Sequence, residues 1–433
     1  MILFYFICLV SAFAATVVDA APDLNSSRDF WVWDLRVMPP ASRKATATLR
    51  SVGTRSLIYV EDSLWQKNIS PAFVNRLKDQ LEYAVPAGAL YPGMGIVSLE
   101  ERLFGTLPRK VGADERLIVL FANLGQYKDI AFDGFFNPYD QMSEREAFSQ
   151  HKQHSNESNI IYINGFRKTE EYTTGVIAHE LQHLLASGSG ERESWLSETL
   201  GEGAMLVTGF FGDQDHVDRF ATATGKSPLV SPRYVQYGPQ LLFSSFLIDT
   251  LPTAPNTALG FLTTHTESKG KTAVERLFYE VSKVPLAFDA IFSNFVGYVF
   301  NQAGQGASLP AFWNHSRGIS VPRIRPYHTF ATSSGELNGE VSPYSFLAID
   351  LAQELSPTAV IQVQRSDGGD RIHPSPTSCA GSATVLWKPI SPKRIAIYSV
   401  GCEPDEKNEA VQFRLKILDQ PSLFPSSPFK FFR

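Results

Sequence analysis

Cysteine is nearly absent from this chain, with three residues in 433, one of them Cys8 inside an apolar N-terminal run. A framework of several disulfides is therefore excluded as the source of stability. Charge of one sign is also scarce. The formal net charge is −5, and no Lys/Arg run is long enough to track a phosphate backbone, which excludes nucleic acid as a partner. No internal repeat and no low-complexity segment interrupts the chain. Past the N-terminus no apolar run approaches the roughly 20 residues of a membrane span, so none is expected in the mature chain. What is present is ordinary core material, 43% hydrophobic against 19% charged residues, in a length that predicts two or three packed units.

Residues Met1 to Ala15 form an apolar run of about 15 residues, short for a membrane span and suited to a signal peptide, with cleavage near Ala14 or Ala20. No Lys or Arg precedes it. The expectation is a secreted or extracytoplasmic protein with residues 1–20 as signal. Cleavage removes Cys8 and leaves Cys379 and Cys402, an even pair that reads as a disulfide in an exported chain and would contribute roughly 3 kcal/mol by closing a modest loop. Asn25, Asn68, Asn156 and Asn314 open glycosylation sequons.

Two β-favouring runs flank Val52-Gly53-Thr54 and read as a hairpin. Ser70-Pro71 opens an amphipathic helix through Phe73, Leu77, Leu81 and Tyr83. The segments 115–123 and 159–164 read as buried strands, with an aromatic loop, 132–140, between them. Apolar periodicity then predicts helices over 172–187, 194–210, 238–251, 273–281 and 285–302. From about residue 335 the period returns to two in five short segments. The expectation is an α+β fold: a zincin-like lobe over 21–230, a helical lobe over 231–332 and a C-terminal β-sandwich over 333–433.

His179-Glu180-Leu-Gln-His183 carries the chemistry. Four residues apart on a helix, the two imidazoles project from one face and can reach a single ion, while Glu180 is placed to take a proton from water that zinc has acidified. Thr173 or Thr174 can cap the helix, and Ser187-Gly-Ser-Gly190 can stop it. A second helix beginning near Ser194 brings back Glu198 and Glu202, four apart on one face. One can complete the zinc sphere while the other orients a ligating histidine through its second ring nitrogen. The strand 159–164, just upstream, can be either an interior strand or the edge that pairs with an extended peptide.

These residues resemble the gluzincin metallopeptidases, and within them the hyicolysin-type peptidases, over roughly residues 55 to 300. The likeness rests on the HExxH segment, on Trp195-Leu-Ser-Glu198 and on Tyr237-Gly238 leading into an aromatic helix. It implies Glu198 as third zinc ligand, Glu202 behind it, and Tyr237 as donor to the developing oxyanion, with Tyr234 and His265 as rivals. The spacing of the aminopeptidase branch would instead make Glu202 the ligand. Thr199 stands where the family has glycine, which predicts crowding at the site.

The function expected is a secreted zinc endopeptidase acting on peptide or protein substrates. Its rival is an exported binding or adhesion protein with a structural zinc, a reading that leaves Glu180 without purpose. Calcium has one candidate, the acidic stretch Asp213 to Asp218, which lacks the glycine of an EF-hand loop. His151 and His154 with Glu144 and Glu146 are the candidate for a second metal, and His216, His315, His328 and His373 read as solvated.

Overall fold

The computed structural model describes residues 22–108, 114–128, 130–166, 169–190, 192–212, 214–231, 236–251, 255–304, 320–356, 359–366, 383–401 and 410–418. The expected signal segment, Cys379, Cys402, Tyr234, Asn314, His315 and His373 lie outside them. The described chain is a mixed α+β protein.

The first half is built on six strands: β1 (Ser27–Asp34), β2 (Ala41–Val52), β3 (Ser56–Glu61), β4 (Leu117–Ala122), β7 (Gly134–Phe136) and β8 (Ile160–Asn164). Between β4 and β7 lies the two-residue pairing of β5 (Gln126–Tyr127) with β6 (Ile130–Ala131). The six-stranded sheet runs in the order β1-β2-β3-β4-β8-β7. The expected hairpin is β2–β3. β3, β4 and β8 pair in parallel, and their near-continuous apolar sequences suit strands covered on both faces. Alternation sorts their side chains: Ile58, Val119 and Ile161 face the helices, whereas Leu57, Ile118 and Ile160 join Phe30 and Leu49 in a core on the other face.

That second core closes because the sheet curls. Phe135 of β7 stacks between Trp33 of β1, at 4.8 Å, and Tyr162 of β8, at 4.4 Å. The edge of β1 is capped by a side chain, since Trp31 N–H donates to Asn156 Oδ1 and Asn156 Nδ2 donates back to Trp31 O. The sequon at Asn156 is therefore buried and spent on structure, while Asn25 is exposed.

Helices α1 (Pro71–Glu82) and α2 (Ile96–Phe104) precede β4, and the short α3 (Glu144–Glu146) precedes β8. Ser70 caps α1 by accepting from Phe73 N–H. After β8 come α4 (Glu170–Ala186), α5 (Ser194–Thr208), α6 (Gln214–Thr222), α7 (Gly238–Thr250), α8 (Pro255–Thr264), α9 (Gly270–Ser282) and α10 (Phe288–Gln302). No helix among the described residues is long and apolar enough to cross a membrane. The cap of α4 is Thr169, which accepts from Tyr172 N–H. Thr173 and Thr174, the expected caps, lie inside the helix and donate to the carbonyls of Thr169 and Glu170.

The C-terminal strands are β9 (Pro326–Phe330), β10 (Gly335–Val341), β11 (Phe346–Leu351), β12 (Val360–Arg365), β13 (Thr384–Ser391), β14 (Arg394–Val400) and β15 (Val411–Leu418). They form two small sheets, β10-β15-β12 and β13-β14-β11-β9, around a shared core of Ile349, Ile395, Phe413 and Leu415. This unit is tied to α10: Tyr344 Oη donates to Asp289, Lys388 Nζ to Ser293 O, and Tyr398 Oη bonds Ser293 Oγ.

Asp140 makes one buried feature testable. Its carboxylate accepts from Asn156 N–H at 2.5 Å and Tyr162 Oη at 2.7 Å, but full burial outweighs these bonds and pushes its pKa up to about 7. Between about pH 4 and 7 the folded protein holds a proton that the unfolded chain has released. This contribution is complete below about pH 4 and is lost as pH rises through 7. In Asp140→Asn, the difference in unfolding free energy between about pH 4.5 and 7.5, read from urea titrations, should shrink by roughly 2–3 kcal/mol.

Candidate metal centre

α4 and α5 pack as an antiparallel pair joined by the turn at Ser187–Ser189 and Gly190, whose φ of 97° suits glycine. Their facing sides bring three ligand atoms together. His179 Nε2 lies 3.1 Å from His183 Nε2 and 3.0 Å from Glu198 Oε2, and His183 Nε2 lies 3.7 Å from the same oxygen. Among the described residues no other set of three ligating side chains converges in this way. A tetrahedral zinc with bonds of about 2.0–2.1 Å requires ligand atoms roughly 3.3–3.4 Å apart. The observed separations bracket that value. The cluster fits a zinc ion.

The second nitrogens of both rings are also engaged. His179 Nδ1 faces Glu202 Oε1 at 3.4 Å, and His183 Nδ1 lies 3.3 Å from Ser197 Oγ. A proton on each Nδ1 donates to these acceptors and leaves each Nε2 lone pair for a metal. Burial opposes a charged His179, but Glu198 and Glu202 outweigh it and hold its pKa well above the usual value. Burial likewise pushes Glu198 upward, and His183 with His179 overcomes this and draws it far below the ordinary carboxylate range. The two shifts have one cause, the pairing of the histidines with Glu198 in a buried site.

Glu180 is buried at the rim between α4 and β7. Burial raises its pKa, against the pull of His179 and His183 and a hydrogen bond from Phe136 N–H. The helix approaches closely because residue 134 is glycine: a Cβ there would lie 2.9 Å from Tyr162 O and 3.2 Å from Glu180 Cγ. β7, hidden in the expected aromatic loop, is the edge of the sheet, and the strand 159–164 proves interior, paired on both sides. Three residues are too few to show a period, and only pairing with β8 defines β7 as a strand.

Tyr237 caps α7 with its ring 6.1 Å from that of His179, at 64°. His265 is at the end of α8, stacked on Phe261 at 3.9 Å. The Thr199 hydroxyl donates to Trp195 O, and its carbonyl accepts from Ser244 Oγ of α7. His154 bonds Glu144 and stacks on Trp31, Glu146 completes the capping box of α3, and His151 packs on Tyr139. The acidic stretch is helical over Gln214–Thr222, with Asp213 outside the described residues.

Ser197 and Gly201 were not legible as functional residues. A Cβ at Gly201 would sit 2.7 Å from Cε1 and Nε2 of His179, so a mid-helix glycine, costly in itself, is what lets α5 approach the ring. Gly201→Ala should displace His179 and weaken zinc binding by about tenfold or more, measured by competition with a chromogenic chelator.

No family model matches the chain, and no curated protein matches it. Among solved structures, a point mutant of the M1 zinc metallopeptidase from Deinococcus radiodurans is similar at 12% identity with a TM-score of 0.32, over 66% of this chain and 63% of that one. The chain thus spans less than two thirds of that structure. Overlap this loose carries no argument, and the functional reading rests on the geometry of the site.

Proposed function

We propose that this chain is an exported, zinc-dependent endopeptidase with a zincin-like catalytic unit, in which His179, His183 and Glu198 hold zinc. The observation that carries the reading is the convergence of two Nε2 atoms and one carboxylate oxygen beside a buried Glu180 and an edge strand. Zinc bound there supplies a Lewis acid that polarises a carbonyl and lowers the pKa of water toward neutrality. An extended peptide adds to the outer side of β7, which sets its scissile bond along the rim where Glu180 lies. Glu180 takes the proton of the attacking water and returns it to the leaving nitrogen, a role its raised pKa favours. Tyr237 donates its hydroxyl to the oxygen of the attacked carbonyl. Glu202 and Ser197 hold the two imidazoles in the tautomer that leaves Nε2 free. The apolar run at residues 1–15 supports export.

A purely structural zinc has no use for a buried general base at its rim, which favours turnover over the binding-protein reading. The test is hydrolysis of a library of N-terminally blocked peptides. Internal cleavage, abolished by a zinc chelator and restored by zinc, is the expected result. No cleavage by the zinc-loaded full chain, or cleavage indifferent to chelation, overturns the proposal.

A further inference from the structure

Tyr237 has a backbone that an L-residue rarely adopts, with φ 60° and ψ −43°. Gly238 N–H donates to Gln236 O at 2.7 Å across it, which makes residues 236–238 a γ-turn of the rare, strained hand. Strain of this kind persists only where the surroundings over-determine it. Three contacts do so here. Gln236 is anchored through its side chain, donating to Lys226 O at 3.1 Å and accepting from Ser227 Oγ at 2.5 Å. Gly238 is pressed onto α6, where a Cβ would lie 2.5 Å from His216 O. The imidazole of His216 stacks on the phenol of Tyr237, with centroids 5.2 Å apart and planes at 29°.

His216 therefore meets the turn twice, with its backbone under Gly238 and its ring against Tyr237. The tyrosine ring lies between two histidines, one on α6 and one, His179, among the expected metal ligands on α4. A histidine whose sequence context reads as solvated is half-buried at this position. We propose that His216 is a positioning residue, whose ring fixes the phenol of Tyr237 in the orientation that points its hydroxyl at the reacting carbonyl. This rests on the reading of Tyr237 as the donor. A phenol free to rotate must be ordered again at every turnover, and that cost falls on the transition state, not on substrate binding. Stacking needs a flat ring at 216 and no particular ionisation.

The test uses the zinc-loaded full chain and four variants: His216→Ala, His216→Phe, Tyr237→Phe and the double variant His216→Ala/Tyr237→Phe. His216→Ala is expected to lower kcat about tenfold with KM changed less than about twofold, and His216→Phe to recover most of the loss. In the Tyr237→Phe background, His216→Ala should have no further effect on kcat, because the hydroxyl it orients is gone. Equal losses in His216→Ala and His216→Phe, or full additivity in the double variant, overturn the proposal. A second readout is independent of turnover: 3-fluorotyrosine at position 237, followed by fluorine NMR. One narrow line in the parent chain should shift and broaden in His216→Ala and sharpen again in His216→Phe. A line indifferent to His216→Ala overturns the proposal even if activity falls. If Tyr237→Phe leaves kcat unchanged, the donor reading fails, and the fluorine line still decides whether His216 holds the ring.

Discussion

Glu180→Gln is expected to lower kcat for peptide hydrolysis by about 10²–10⁴-fold while zinc stays bound at its parental stoichiometry. The glutamine keeps the size and the hydrogen-bonding oxygen of the carboxylate but cannot take up a proton near neutral pH. Phe136 N–H retains its acceptor and Gly134 its close approach to the side chain, so the fold has no reason to yield. The burial that raises the pKa of Glu180 also makes it a costly group to keep for structure alone. Steady-state kinetics with metal analysis on the same preparation checks the prediction. Parental activity in Glu180→Gln would remove the general base from the mechanism, and loss of zinc would move Glu180 into the metal sphere.

The second large effect separates two glutamates. Glu198→Ala removes an oxygen lying 3.0 and 3.7 Å from the two histidine nitrogens and is expected to weaken zinc binding by about a thousandfold or more. Glu202→Ala leaves all three converging atoms in place. It deprives His179 Nδ1 of its carboxylate partner, which should cost about 10–100-fold in affinity. Competition titration against chelators of graded strength ranks the two directly. The reverse order would make Glu202 the ligand, as the alternative spacing has it.

Helical periodicity and the HExxH spacing made α4 legible, and the pairs flanking Gly53 and the apolar segment at 117–122 did the same for much of the sheet. Local chemistry was sufficient there because α4 carries apolar residues at helical spacing and the central strands are continuous apolar runs of strand length. Glu198 and Glu202 could not be separated in that way. They share a face of α5, and the choice depends on the rotation of α5 against α4, which Gly201 sets by admitting the ring of His179. β7 escaped because three residues carry no period, and it is β7 that forms the sheet edge, with the strand 159–164 interior. His216 read as a surface residue because its environment is created by a γ-turn twenty residues further on. The cap at Thr169 lies four or five residues before the expected Thr173 or Thr174 because threonines inside a helix can bond back to the preceding turn.

The zinc site is tested most directly by an anomalous difference map at the zinc edge from crystals of the full chain. One strong peak is expected about 2.0–2.2 Å from His179 Nε2, His183 Nε2 and a Glu198 oxygen, with Glu202 on His179 Nδ1. No peak between α4 and α5, or a peak ligated by Glu202 with Glu198 turned away, would contradict it.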